Sequence, residues 1–360
     1  MDDAPRNILP AESEAVTASD VKIQVDKVYK IFGNRPDDAL AELRAGAQKA
    51  EVLQKTGCIV GLKDIDFSIR RGETFVIMGL SGSGKSTLIR HFNRLIEPTA
   101  GRILVDGRNI MEMNATELLA FRRNGISMVF QRFGLLPHQT VLENTICGPI
   151  LQGVSRREAV ALGMEQLELV GLKGFENRFP RQLSGGMQQR VGLARALATK
   201  ADVLLMDEAF SALDPLIKSD MQEQLKDIQA RLKKTIIFIT HDLDEALHLG
   251  DRIAILKDGE LRQVGTGEEI LFRPADDYVE RFVRKVDLSR AMYAHEAFTK
   301  VPVLTSAEAT PERSAALLRE HPGVVVINGV APRLLSRGAP GEAISVASVD
   351  AGAAIGQCFP

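Results

Sequence analysis

Gly79-Leu80-Ser81-Gly82-Ser83-Gly84-Lys85-Ser86-Thr87 is the stretch that decides how this chain is read. It fits G-x-x-x-x-G-K-[ST], a turn that holds nucleotide phosphates. The glycines let the backbone curl so that several N–H groups converge on one anion. Lys85 can then reach the β- and γ-phosphates, and Ser86 can offer its hydroxyl to Mg2+. Before the turn, Thr74–Met78 reads as a buried strand. After it, Leu88–Leu95 reads as a helix whose positive end faces the phosphates. The nucleotide-binding candidates are therefore Gly79, Ser81, Gly82, Ser83, Gly84, Lys85, Ser86 and Thr87.

The composition is that of a globular chain with an ample core. Of 360 residues, 45% are hydrophobic and 26% charged, enough for more than one domain without covalent staples. A net charge of −2 provides no basic face for nucleic acid. Cys58, Cys147 and Cys358 lie far apart with no C-x-x-C spacing, which reads against a zinc site or disulfide framework. Residues 1–20 are acidic, contain proline and lack the apolar core of a signal peptide, so a disordered tail is expected. No uncharged apolar run approaches the ~18 residues needed to span a bilayer. Work at a membrane would require another chain to do the spanning.

Outward from the glycine-rich turn, the chain alternates strands and helices. Val21–Tyr29 alternates like a half-exposed antiparallel strand, and Ile59–Ile69 resumes that spacing. Between them, residues 37–56 read as one helix with Leu40, Leu43, Ala47, Ala50 and Leu53 near a stripe and Gly57 as its C-cap. Gly101–Gly107 and Ser127–Phe130 read as strands. From Gly134 to Lys200 helical patterns dominate. Val203–Met206 and Thr235–Ile239 are continuous apolar strands alternating with a helix over Ile217–Leu232, the pattern of a parallel sheet covered on both faces. Ile253–Leu256 and Leu261–Val264 flank Asp258-Gly259, a hairpin turn. Beyond Asp287 the composition shifts to Ala, Gly and Ser, which marks a boundary.

Asp207 and Glu208 end an apolar strand, the edge of a parallel sheet where ligands gather. An Asp there can hold Mg2+ and the adjacent Glu can take a proton from water; taken alone, the pair could equally cap the next turn. Leu183-Ser184-Gly185-Gly186 opens a helix running to Ala198. Its free N–H groups, the serine hydroxyl and the helix dipole make a second anion site, or simply a Ser-capped helix.

The turn at Gly79, Gln131, Leu183-Ser184-Gly185-Gly186, Val203–Glu208, Ser211-Ala212-Leu213-Asp214 and His241 follow the order and spacing of ABC-transporter ATPase subunits. The resemblance covers about Val21 to Asp287. It implies an α/β fold: an ABC-type P-loop ATPase core with a mixed sheet, an antiparallel β subdomain, a helical subdomain over about 134–200 and a helical insertion over about 34–57. It also implies a head-to-tail homodimer binding two ATPs, the Lys85 loop of one copy facing Ser184, Gly185 and Gly186 of the other. Asp207, with Ser86, would bind magnesium, and Glu208 would be the catalytic base. His241 would contact the γ-phosphate; by itself it also reads as a hydrogen-bonded structural histidine. Gln131, otherwise an unremarkable loop glutamine, would reach Mg2+ or the attacking water and relay its state to the membrane partner. Asp214 would lie in the loop crossing the dimer. Phe32 would stack on adenine, with Tyr29 as its rival. Met187 departs from the commonest signature, which has Gln there.

The insertion, Met78–Gly82, Asp207–Leu216 and His241–Ala246 look like the glycine betaine/proline importers within that superfamily. This implies transport of quaternary amines such as glycine betaine, proline betaine or choline, with histidine and trimethylamine N-oxide importers as relatives. The partners implied are an integral membrane permease and, through it, a periplasmic or lipid-anchored substrate-binding protein. The place implied is the cytoplasmic face of the bacterial membrane. Residues 288–360 are too few for the two CBS repeats that many members carry; Gly323–Gly329 suggests one strand–turn of a CBS-like half, or a divergent tail. A DNA-maintenance ATPase of the same superfamily would be expected to carry long coiled-coil or zinc insertions, which the sequence lacks.

Overall fold

A computed structural model describes residues 20–130, 134–211 and 213–283, with Arg313, Leu317 and four short strands between Val303 and Ser348. The expected tail up to residue 19, Gln131, Cys358 and the boundary at Asp287 lie outside the described residues. The described residues fall into two units, the first within 1–242 and 249–268.

In chain order the first unit begins with β1 (Val21–Phe32), α1 (Pro36–Arg44), α2 (Lys49–Thr56), β2 (Ile59–Arg70), β3 (Thr74–Met78) and α3 (Lys85–Phe92). It continues with β4 (Ala100–Val105), β5 (Arg108–Asn109), α4 (Ala115–Asn124), β6 (Ile126–Val129), α5 (Val141–Leu151), α6 (Arg156–Leu169) and α7 (Gly185–Ala198). It ends with β7 (Val203–Asp207), α8 (Pro215–Leu232), β8 (Thr235–Thr240), β9 (Arg252–Lys257) and β10 (Glu260–Gly265). One sheet runs β2-β1-β4-β5 and is antiparallel. The other runs β10-β9-β3-β8-β7-β6, parallel except for the β9–β10 hairpin.

Every residue of β3, β7 and β8 is buried, as continuous apolar runs require. Phe75 and Ile77 share one core with Leu205, Ile237 and Ile239, with Leu88, Ile89 and Phe92 of α3, and with Ile23, Leu62 and Ile65 of the antiparallel sheet. On the opposite face Phe238 meets Phe210, ring centroids 5.4 Å apart. Truncating a residue such as Ile77 to Ala would cost about 2–5 kcal/mol. Because α3 contributes to a core drawn from both sheets, the turn before it has little freedom to move.

The single helix expected over 37–56 is two. Ala45 ends α1, Gly46 takes φ +94°, and α2 restarts after Gln48, whose N–H donates to Glu51 Oε2 at 2.9 Å. The restart resets the apolar phase. Leu40, Leu43 and Val52 pack with Ile31 and Cys58, but Leu53 and Ala50 are exposed. Gly57 closes α2 in the left-handed conformation, as expected. The phosphate-turn helix starts at Lys85 rather than Leu88, since the turn feeds directly into it. Cys58 and Cys147 are free thiols.

In the second unit, Asp277–Val283 is helical and four strands form a sheet in the order β11 (Val303–Thr305), β12 (Gly323–Ile327), β13 (Pro332–Ser336), β14 (Ser345–Ser348). β11 and β12 are parallel and the other pairs antiparallel. The strand expected from Gly323 is β12; its turn lies outside the described residues. Among the described residues no helix is long and apolar enough to cross a membrane.

Candidate active site

The turn between β3 and α3 is held by contacts that only glycine permits. A Cβ on Gly79 would sit 2.3 Å from the Leu256 carbonyl oxygen, and one on Gly84, at φ +99°, would sit 2.8 Å from the Leu62 side chain. Lys85 folds back into the turn, donating to the carbonyls of Gly79 at 2.7 Å and Leu80 at 3.1 Å. Burial pushes its ammonium pKa down, while Glu208 and Asp207 pull it back up. The Ser83 hydroxyl is buried and has no hydrogen-bond partner among the described residues. Gly61, Ser81, Gly82, Ser83, Gly84, Lys85, Ser86, Thr87 and Glu208 line one cleft of about 340 Å3.

Asp207, the last residue of β7, is buried against this turn. Ser86 Oγ donates to its Oδ1 at 3.0 Å, and Arg90 Nη2 lies 3.6 Å from its Oδ2. Glu208 follows with φ +47°, a conformation that non-glycine residues adopt at a cost of about 1–3 kcal/mol. Its Oε1 lies 3.8 Å from Lys85 Nζ and 3.9 Å from His241 Nδ1. His241 follows β8, and its side chain is mostly exposed. The pair Asp207–Glu208 thus does more than cap a turn: one carboxylate engages the serine of the turn and the other faces the cleft.

Ser86, which lines the cleft, and the Asp207 carboxylate it bonds present hard oxygen donors side by side, a chemistry that fits Mg2+. Among the described residues no group of three or more His, Cys, Asp or Glu could hold a metal. Further ligands would have to be water and phosphate oxygens, as is usual for Mg2+ on nucleotides.

Ser184 caps α7 as its sequence suggests, accepting from the Met187 N–H at 3.3 Å. The cap uses the main chain of Met187, so the departure there leaves it intact. A Cβ on Gly186 would lie 2.6 Å from Ile217 Cγ2, so α7 starts in close contact with α8. Asp214 caps α8, accepting from Ile217 N at 3.1 Å. Ser184, Gly185, Gly186 and Asp214 do not line the Lys85 cleft, nor does His241. Phe32 and Tyr29 part company. The exposed Phe32 ring covers Gly61, a cleft residue, so closely that a Cβ there would sit 2.7 Å from Cε2. Tyr29 lines a separate polar cleft of about 550 Å3 with Asp26, Arg44 and Asp64.

Arg90, Gly61 and Lys218 were not singled out by the sequence. Arg90 stands four residues after Ser86 on one helix face, a spacing that could have flagged it. Lys218 Nζ reaches Asp242, the residue after His241, at 2.6 Å, a pairing that no local pattern announces.

Residues 62–211 match the ABC transporter family. The chain is 58% identical over 280 residues to the glycine betaine transport ATP-binding protein OpuAA of Bacillus subtilis (strain 168), covering 78% of this chain and 67% of OpuAA. It is 51% identical over 282 residues to the glycine betaine/proline betaine transport system ATP-binding protein ProV of Escherichia coli (strain K12), covering 78% of this chain and 70% of ProV. Among solved structures it resembles the ATP-binding cassette MJ0796, described as dimeric in a post-hydrolysis state bound to ADP and Pi. There the TM-score is 0.58 and the identity 33%, over 68% of this chain and 98% of MJ0796. The turn gripping Lys85, the carboxylates beside it and these relatives agree: the chain belongs to the ABC transporter family, as one of its ATP-binding, ATP-hydrolysing subunits.

Proposed function

We propose that this subunit powers an importer of glycine betaine and related quaternary amines from the cytoplasmic face of the membrane, working as a homodimer on a membrane permease served by a substrate-binding protein. The names of its relatives support the substrate class. Residues 21–287 would be the ATPase domain, with 288–360 an extension.

The observation that carries the catalytic reading is the Glu208 carboxylate, set between Lys85 and His241 at the mouth of the phosphate turn. Lys85, the N–H groups of residues 81–87 and the Ser83 hydroxyl bind the triphosphate. Ser86 and Asp207 would hold Mg2+, which when bound offsets phosphate charge. Glu208 takes the proton of the attacking water, and His241 contacts the γ-phosphate side. Phe32, over Gly61, stacks on adenine in preference to Tyr29. Ser184, Gly185 and Gly186 form an anion-binding helix start that does not line the cleft of its own chain. A second copy, arranged head to tail, brings them onto the γ-phosphate, with Asp214 at the crossing. Gln131 is assigned to the relay toward the permease.

The test is reconstitution with the permease and a betaine-loaded binding protein in vesicles. ATP-dependent uptake of labelled glycine betaine is expected. Nucleotide hydrolysis with no uptake of glycine betaine, proline betaine or choline would overturn the substrate class.

A further inference from the structure

The helical insertion reaches the phosphate turn through a short relay. The β9–β10 turn, Asp258 at φ +50° and Gly259 at φ +74°, is pressed against the phosphate turn. Gly259 N–H donates to the Ser83 carbonyl at 2.9 Å, and Lys63 N–H donates to the Gly259 carbonyl at 2.7 Å. The packing leaves no slack: a Cβ on Gly259 would lie 2.1 Å from the Gly61 oxygen, and one on Gly84 would lie 3.0 Å from that same oxygen. Any shift of residues 258–259 is therefore felt at Ser83 and Gly84.

What fixes that turn from outside is α2. Its first residue, Lys49, donates from Nζ to the Asp258 carbonyl and lies 3.7 Å from Glu260 Oε1. Glu260 is also held by Lys63 at 3.2 Å and Arg262 at 3.5 Å. Lys49 is itself well placed. The Gln48–Glu51 capping bond sets the start of α2, Val52 is fully buried, and Arg35 donates to the Lys55 and Thr56 carbonyls, each at 3.2 Å, at the other end.

We infer that the insertion is part of the nucleotide-binding apparatus, with Lys49 as a positioning residue that locks the β9–β10 turn, and through Gly259 the phosphate turn, in its phosphate-ready shape. Lys49 touches no nucleotide atom in this role. Its contribution is preorganisation, so its loss should weaken binding more than it slows the chemical step. The inference rests on the phosphate turn being the ATP site.

The experiment compares Lys49→Ala, Lys49→Arg and Val52→Ala with the unmodified full chain. MgATP affinity is read by calorimetry, turnover by phosphate release, and Tm without nucleotide. Lys49→Ala should raise Kd and KM by roughly 5- to 10-fold, the scale of one ordinary intramolecular hydrogen bond, with kcat nearly unchanged. Lys49→Arg should restore most of the affinity. Val52→Ala, which loosens the insertion but keeps the ammonium, should lower Tm with a smaller change in Kd. Unchanged Kd in Lys49→Ala would overturn the inference. So would an equal loss of affinity in Val52→Ala, which would mean general loosening. Absence of MgATP binding by the unmodified chain would instead defeat the site assignment itself.

Discussion

The Glu208 carboxylate lies 3.8 Å from the Lys85 ammonium, so the group proposed to accept a proton and the group proposed to hold the phosphates share one wall of a cleft. Glu208→Gln keeps the shape and removes the base. Turnover should fall by about 10²–10⁴-fold, the usual contribution of a general base. MgATP affinity, measured by calorimetry, should stay close to that of the unmodified chain. Near-normal phosphate release would remove Glu208 from its role.

Asp207 offers one oxygen to Ser86 and the other to Arg90. Asp207→Asn keeps the size and weakens the hard-anion character. The gain in nucleotide affinity caused by Mg2+ should shrink by about tenfold or more. Affinity for ATP in EDTA should be little changed. Equal losses with and without Mg2+ would mean that Asp207 only supports the turn.

Phe32 and Tyr29 can be told apart directly. Phe32→Ala should weaken ATP binding by about 3- to 10-fold, the range of one stacking contact. Tyr29→Ala should not, since Tyr29 lies in the cleft with Asp64. The reverse result would move the adenine to the other cleft.

The phosphate turn, the carboxylates at the strand end and the Ser184 cap were legible because each is written in a few adjacent residues. β3, β7 and β8 were legible because both of their faces are buried, which forces unbroken apolar runs. The break at Gly46 was missed because the stripe from Leu40 to Ala47 continues by chance into Ala50 and Leu53, which the restarted helix turns outward. Contacts such as Lys218 with Asp242, or Lys49 with the turn at Asp258, depend on tertiary placement and leave no periodic trace.

His91 gives the chain a predictable acid response. It is fully buried on α3, its Nδ1 donates to the Thr87 carbonyl at 2.6 Å, and its Nε2 has no partner among the described residues. Burial lowers its pKa to about 4 from the usual 6.5. Between those values the unfolded chain binds the proton and the folded chain does not, so stability falls as pH drops from 6.5 toward 4. The loss from this group approaches about 3 kcal/mol at the lower end. In urea titrations from pH 7 to pH 5, His91→Leu should lose about 2 kcal/mol less than the unmodified chain. Parallel losses in the two proteins would show that His91 titrates normally.

The anion site proposed around Ser184 has a use only if another copy carries a nucleotide to it. Sedimentation of Glu208→Gln with saturating MgATP measures this most directly. A shift from monomer to dimer that Ser184→Arg abolishes without loss of ATP binding is the predicted result. A nucleotide-saturated protein that sediments as a monomer at all concentrations would contradict it.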